Sequence, residues 1–122
     1  MQPFVRVLVV DDQEPYRRAM VAVVDGTDGF VVVGSASSGE ESVVVAARLR
    51  PDLVLMDVNL PGIDGLEASR RLRQQEPSPV VVLLSTYDES EFDLTDCGAV
   101  AYVSKAVFGP DRLTAAWAAA TA

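Results

Sequence analysis

The chain has 122 residues, a length that fits one domain of ordinary size. Its net charge of −8 argues against direct nucleic-acid binding, and the absence of histidine excludes histidine nucleophiles, metal ligands and phosphoryl carriers. A single cysteine favours a reducing, cytoplasmic compartment. No apolar run is longer than that of residues 115–120, which is far shorter than the roughly 18 residues of a membrane span.

Five short apolar runs recur along the chain and predict β-strands. The runs are continuous rather than alternating, which is typical of parallel strands that are buried on both faces. The predicted strands are residues 5–10, 30–33, 53–56, 80–84 and 100–103.

Helical patterns lie between these runs. The first has apolar-face residues at three-to-four spacing, namely Tyr16, Met20, Val23 and Val24. The second and third open with residues that cap helix starts. The segment 88–97 predicts a short or irregular fourth helix, because its Asp and Thr side chains are poor interior helix residues. The residues that mark the other four starts are Pro15, Ser38 with Glu41, Asp64 with Glu67, and Pro110.

This alternation of strand and helix predicts βαβ units and an α/β fold, a three-layer (βα)5 sandwich. In such sheets, ligands bind beyond the carboxyl ends of the strands, at the point where the strand order reverses. A flavodoxin-like order of 2-1-3-4-5 makes the first and third strands neighbours at that point.

Polar residues follow the predicted strands at this edge. Three carboxylates at close quarters repel unless a cation is present, and oxygen ligands without His or Cys select Mg²⁺ or Mn²⁺ over zinc. A lysine there would add the positive charge that a transferred phosphoryl group needs. The residues are Asp11 and Asp12 after the first strand, Asp57 after the third, Ser85 and Thr86 after the fourth, and Lys105 after the fifth.

Each of these residues also has an ordinary structural interpretation. An Asp pair after a strand usually caps a helix, and a lone Asp there can simply form a turn. A lone Lys after a strand is usually solvated. Their joint arrival at the corresponding ends of different strands favours a functional site over these separate explanations.

The stretch 55–66, Leu-Met-Asp-Val-Asn-Leu-Pro-Gly-Ile-Asp-Gly-Leu, resembles the phosphoacceptor region of bacterial response-regulator receiver domains almost residue for residue. The likeness covers essentially the whole chain, from the run ending in Asp11-Asp12 to Lys105. Residues 85–89 further resemble the NarL/FixJ (LuxR-type) branch, whose members usually carry a C-terminal helix-turn-helix domain. The resemblance implies a receiver domain over residues 1–122, of the CheY-like superfamily, with no output domain in this chain.

Site roles follow from this resemblance, position by position. Asp57 would accept the phosphoryl group, and Mg²⁺ would be held by Asp12 directly, by Asp11 through water, by Asp57, and by the backbone carbonyl of Asn59. Ser85, with Thr86 as the fallback, would hydrogen-bond the phosphoryl group, Lys105 would pair with it, and Tyr102 would change rotamer on activation.

The resemblance implies a two-component phosphorelay switch that gains its phosphoryl group from a sensor histidine kinase and loses it by hydrolysis, rather than a turnover enzyme. The output would pass through the face of the fourth strand, fifth strand and fifth helix, and would control transcription. A homodimer is left open, contact with DNA would require an output domain in a longer protein, and no membrane partner is expected.

Two other interpretations remain beside the phosphoacceptor. A pseudo-receiver would keep the fold and signal by partner binding alone, and a haloacid-dehalogenase-like phosphatase would need Asp-x-Asp after its first strand. Two departures from the receiver pattern also stand out. Ala106 replaces the usual proline after Lys105, which leaves the isomer of that bond open, and the fourth-helix region is about two residues short.

Overall fold

Strands and helices alternate along the chain as the sequence predicts. The computed structural model describes residues 4–86 and 97–121. The strands are β1 (Val5–Val10), β2 (Phe30–Ala36), β3 (Leu53–Asp57), β4 (Val80–Ser85) and β5 (Ala101–Ser104). The helices are α1 (Glu14–Asp25), α2 (Gly39–Leu49), α3 (Gly65–Arg73) and α4 (Pro110–Thr121), with a 3₁₀ turn over Lys105–Val107. The helix α4 is the predicted fifth helix, whereas the predicted fourth helix falls on residues that lie almost entirely outside the described ranges.

The strands form one parallel sheet in the order β2-β1-β3-β4-β5, which confirms the predicted flavodoxin-like topology. Val7 lies opposite Leu53 and Val10 lies opposite Met56, so β1 and β3 run side by side through the middle of the sheet. The strand order reverses at this pair, and the crevice beyond their carboxyl ends is where folds of this kind bind ligands.

Alternate side chains of the central strands point to opposite faces of the sheet, because the side-chain period of a strand is two. Fully burying one Leu or Val contributes roughly 1.5–3 kcal/mol, so both faces hold the central strands firmly in place. Leu8, Val10, Val54 and Met56 pack with Leu66 and Leu72 of α3 on one face, and Val7, Val9, Leu53 and Leu55 pack with Met20 of α1 and Leu113 of α4 on the other.

Polar side chains cap two helix starts, as the sequence predicts. The Ser38 hydroxyl accepts a hydrogen bond from the Glu41 backbone N–H at 3.0 Å, and Asp64 Oδ1 accepts one from the Glu67 N–H at 2.8 Å. The Glu41 carboxylate accepts from the N–H of Ser37 at 2.6 Å, one residue earlier than in a standard capping box. These caps fix where α2 and α3 begin.

The strand β2 continues three residues beyond the predicted end at residue 33. Its pairing with β1 extends to Val10 opposite Ala36, and the Asp11 N–H then donates to the Ala36 carbonyl at 3.1 Å. Gly34 lies where α2 packs closely, since an added Cβ would come within 2.7 Å of Leu49 Cδ1. Gly34, which lacks a strand signal, is therefore required by the close packing of α2. None of the helices in residues 4–86 and 97–121 is both long and apolar enough to cross a membrane.

Gly65 provides a test of how closely α3 packs on the end of β3. Its N–H donates to the Val58 carbonyl at 2.9 Å, and an added Cβ would lie 2.8 Å from Val58 Cα and collide with the Asp57 carbonyl oxygen. We expect Gly65→Ala to lower the free energy of unfolding by about 2 kcal/mol or more in urea denaturation. Gly109→Ala adds the same methyl where nothing lies within 4 Å and should cost no more than about 1 kcal/mol. Equal losses would contradict the close packing.

Candidate functional site

Three aspartates meet at the carboxyl edge of the sheet, as the sequence predicts. Asp11 and Asp12 directly follow β1, and Asp57 is the last residue of β3. One carboxylate oxygen from each lies within 4.8 Å of those of the other two. Asp11 and Asp57 are buried, at 0% and 4% exposure, whereas Asp12 is exposed. The cluster therefore has two carboxylates inside the protein and one that reaches solvent.

Local hydrogen bonds hold the two buried aspartates in place. Asp11 Oδ1 accepts from the Gln13 backbone N–H at 2.9 Å, and Asp57 Oδ1 accepts from the Asn59 N–H at 3.3 Å. Each is a side chain that bonds the backbone two residues on, a turn geometry that Asp favours. The Asp11 carbonyl also accepts from Arg17 Nη1 at 2.8 Å. Both carboxylates are thus oriented by their own loops.

Lys105 supplies the positive charge of the site. Its Nζ lies 2.5 Å from Asp11 Oδ2 and 3.4 Å from Asp57 Oδ1, and its side chain is only 10% exposed. The same Nζ lies 4.0 Å from the centroid of the Tyr16 ring, a distance typical of a cation–π contact. One ammonium group therefore contacts two carboxylates and an aromatic face.

The backbone that carries Lys105 turns sharply after β5. The Ser104 hydroxyl accepts a hydrogen bond from the Ala106 N–H at 3.2 Å at the start of the 3₁₀ turn. Within the described residues the cis peptide bond is Glu76–Pro77, so the Lys105–Ala106 bond is trans. Lys105 therefore reaches the acidic cluster without a cis bond at this position.

The electrostatics of the cluster favour an added cation. Burial, helped by the nearby Asp11 charge, raises the pKa of Asp57 to about 6, although Lys105 and the Asn59 N–H lower it in part. Three carboxylates face one ammonium group, so the cluster lacks positive charge when all three are ionised. Oxygen ligands with an exposed member, Asp12, suit a hard cation such as Mg²⁺. The residues present therefore fit the metal that the sequence predicts.

An open pocket of about 240 Å³ lies beside Asp57. It gives an anionic group a path from solvent to a buried carboxylate and a lysine. Among the described residues, its lining consists of Gln13, Tyr16, Asp57, Asn59, Thr86 and Lys105.

The two hydroxyl candidates lie in different environments. Thr86 is exposed and lines the pocket, whereas Ser85 is completely buried at the end of β4, opposite Ser104 of β5. Tyr102 lies in β5 and is half-buried, on the face of the sheet against which α2 and α3 pack. The structure thus brings Thr86 to the pocket and places Tyr102 on β5, two residues before the Ser104 cap.

Tyr16 is the residue of this site that the sequence pattern assigned to helix packing alone. Tyr16 is 39% exposed, and its ring contacts Lys105 rather than lying wholly in the core. The available signal is its position in the first turn of α1, four residues after Asp12, which directs an early α1 side chain towards the site. Nothing in the local sequence indicates that Lys105, nearly ninety residues later, would meet it.

The family model of the response regulator receiver domain matches residues 7–118. The chain belongs to this family. Response regulator GacA from Pseudomonas viridiflava is 46% identical over 103 residues, which make up 83% of this chain and 48% of GacA. A protein-glutamate methylesterase/protein-glutamine glutaminase from Syntrophus aciditrophicus is 38% identical over 105 residues, covering 83% of this chain and 30% of that protein.

The structural comparison agrees with this membership. A LuxR-family two-component response regulator from Aurantimonas sp. superposes with a TM-score of 0.85 at 30% identity, covering 96% of this chain and 84% of that one. The chain spans about half the length of the GacA sequences that it matches. It is a receiver domain of the kind found in two-component phosphorelay signalling. Receiver domains generally bind Mg²⁺ at an acidic pocket, and this chain has an acidic cluster.

The raised pKa of Asp57 predicts a pH-dependent effect of Asp57→Asn on stability. Between pH 4 and pH 6 the folded protein binds more protons at Asp57 than the unfolded chain, so wild-type stability falls as the pH rises through this window. In chelator at pH 7.5 we expect the free energy of unfolding of Asp57→Asn to exceed that of wild type by about 1–2 kcal/mol. The full pKa shift corresponds to roughly 3 kcal/mol, but the substitution also weakens the contact with Lys105. This advantage should disappear by pH 4.

Urea denaturation at several pH values measures the difference. Asp28→Asn makes the same chemical change at an exposed turn before β2 and should leave stability nearly unchanged at neutral pH. A constant difference between Asp57→Asn and wild type across the range would contradict the raised pKa.

Proposed function

We propose that this receiver domain is a phosphorylation switch in which Asp57 accepts a phosphoryl group from the phosphohistidine of a sensor histidine kinase. The observation that supports this most strongly is the position of Asp57. It is a buried carboxylate at the mouth of an open pocket, within 3.4 Å of the Lys105 ammonium group. A carboxylate so placed can act as a nucleophile towards an incoming phosphoryl group.

The metal would be held by Asp11, Asp12, Asp57 and the backbone carbonyl of Asn59. When bound, Mg²⁺ supplies positive charge that lowers the repulsion between the phosphodonor and the carboxylates. Asp12, the exposed member of the cluster, is accessible to an ion from solvent, and Asp11 lies beneath it.

The chemistry of the chain itself is a displacement at phosphorus. A carboxylate oxygen of Asp57 forms a bond to phosphorus as the bond from phosphorus to the donor imidazole nitrogen breaks, and the imidazole leaves with that electron pair and takes up a proton. Lys105 pairs with an oxygen of the transferred group. Ser85 donates a hydrogen bond to another oxygen, with Thr86, which already lines the pocket, as the second candidate. Water later cleaves the acyl phosphate and restores the carboxylate.

The switch would act through the strand that carries Lys105. Phosphorylation adds an anion near the ammonium group, which shifts the preferred position of Lys105 and of the 3₁₀ turn. Tyr102 lies three residues earlier in β5, on the same short segment. The face of β4, β5 and α4 would carry the output. Transcription is the proposed output, because residues 85–89 resemble the NarL/FixJ (LuxR-type) branch and a LuxR-family response regulator has a similar structure. A receiver-mediated homodimer is part of the same proposal.

Phosphorylation of Asp57 is tested directly by intact mass. With acetyl phosphate and Mg²⁺, the wild-type chain should gain one phosphoryl group, and Asp57→Asn should gain none because the amide is not a nucleophile. Asp64→Asn removes a carboxylate from the same β3–α3 loop and keeps the helix cap, so it should be phosphorylated like wild type. An unmodified wild-type chain would favour the pseudo-receiver, and unchanged modification of Asp57→Asn would move the acceptor elsewhere.

The metal proposal predicts a stability effect. Because Mg²⁺ would bind only the folded state, a concentration tenfold above its Kd should raise the free energy of unfolding by about 1.4 kcal/mol. Asp12→Ala should remove most of that gain, and Asp28→Ala, which alters an exposed aspartate outside the cluster, should retain it. Thermal denaturation with Mg²⁺ or chelator measures the effect, and a wild-type Tm that does not respond to Mg²⁺ would exclude this metal site.

A further inference from the structure

The Tyr16 ring is the one uncharged group among the described contacts of the Lys105 ammonium. Nζ lies 4.0 Å from the ring centroid, while its other partners are the carboxylates of Asp11 at 2.5 Å and Asp57 at 3.4 Å. An ammonium group that is only slightly hydrated gains more from an aromatic face than an exposed one does. Lys105 is 10% exposed, so the ring contributes to where the ammonium group rests.

Tyr16 and Lys105 also line two neighbouring cavities together. One is the polar pocket beside Asp57, and the other is a smaller apolar cavity of about 60 Å³ between α1 and the segment that follows β5. The two side chains thus form a common border between the phosphoacceptor pocket and the apolar interior. The other described residues that line the small cavity are apolar: Ala19, Met20, Val23, Leu84 and Phe108.

We infer that Tyr16 is a positioning residue, which holds the Lys105 ammonium group at the phosphoacceptor pocket through the face of its ring. The inference rests on the proposed function, because it assigns Tyr16 a role in phosphorylation of Asp57. The two carboxylates attract the ammonium group towards the buried side of the cluster, where Asp11 is its nearest partner. The ring attracts it from the pocket, which Tyr16 lines and where an incoming phosphoryl group would arrive.

The alternative is that Tyr16 only fills space beside Lys105. The two roles differ in chemistry, because packing requires apolar volume whereas a cation–π contact requires an aromatic face. Tyr16→Phe keeps the face and loses the hydroxyl, and Tyr16→Leu keeps apolar volume and loses the face. The site of substitution lies on the exposed side of α1, with 39% exposure of the side chain, so both variants are expected to fold.

The experiment combines a geometric and a kinetic measurement. The ring current of an aromatic face should shift the Lys105 ε-methylene protons upfield in wild type and Tyr16→Phe, and this shift should be lost in Tyr16→Leu. The rate constant of Asp57 phosphorylation by acetyl phosphate with Mg²⁺ should fall about threefold to fivefold in Tyr16→Leu and stay within about twofold in Tyr16→Phe. In a Lys105→Met background, Tyr16→Leu should have no further effect on that rate, because no ammonium group remains to be positioned.

Several results would overturn the inference, and they are distinct from failure of the proposed function. If wild type is phosphorylated on Asp57 and Tyr16→Leu reacts equally fast or faster, the role of Tyr16 is overturned while the proposed function stands. The same conclusion follows from equal losses in Tyr16→Phe and Tyr16→Leu, from absence of the upfield shift in wild type, or from an undiminished Tyr16→Leu effect in Lys105→Met. Wild type that gains no phosphoryl group overturns the proposed function and this inference together.

Discussion

The rest of the site depends on one interaction, the contact of the Lys105 ammonium group with the carboxylates of Asp11 and Asp57. Two unit charges 4 Å apart near a protein surface interact by about 4 kcal/mol, so three converging carboxylates are costly without a counter-charge. Lys105 contacts two of them and joins segments 94 residues apart in the chain, the loop after β1 and the turn after β5. Lys105 thus partly neutralises the acidic cluster. It also connects the middle of the sheet with the edge strand β5.

The backbone around this cluster has little room to move. An added Cβ at Gly39 would come within 2.7 Å of Ile63 Cγ1, and the Ile63 N–H donates to Glu40 Oε2 at 3.2 Å. The start of α2 therefore holds the loop that follows Asp57, while the start of α3 packs on the Asp57 backbone at Gly65. With the carboxylates fixed by their loops, the long side chain of Lys105 is the part of the site best able to respond to a new anion.

The sheet order and the convergence of Asp11, Asp12 and Asp57 could be predicted because they follow from topology. Once apolar runs and helices alternate, parallel strand order places each strand end on one edge, and the residues there meet. The end of β2 was wrong by three residues because Gly34 and Ala36 lack β propensity and are held by pairing with β1 and packing of α2. Packing of this kind is not visible in a local pattern.

Side-chain contacts were predictable to a smaller extent. The sequence predicts Lys105 near the carboxylates, but not its closer approach to Asp11 than to Asp57, which depends on rotamers and loop geometry. It predicts Ser85 as the main hydroxyl and Thr86 as the second; Thr86 lines the pocket and Ser85 is buried, and the role of each towards a phosphoryl group stays a prediction. Tyr16 was assigned to helix packing because periodicity identifies the side of a helix and not the partner that a distant segment brings.

The raised pKa of Asp57 connects the stability of the domain to the proposed switch. Burial makes ionisation of this carboxylate costly, yet with a pKa of about 6 it is mostly ionised at neutral pH and so available as a nucleophile. Transfer of a phosphoryl group would replace one negative charge with up to about two, in the same confined place. Lys105 would then have a stronger anion to pair with than Asp11, and Asp11 would lose its nearest positive partner unless a divalent cation is held beside it. Exchange of partners by one ammonium group would therefore couple the metal, the phosphoryl group and the segment after β5 in a single equilibrium, so that a change in one would alter the others.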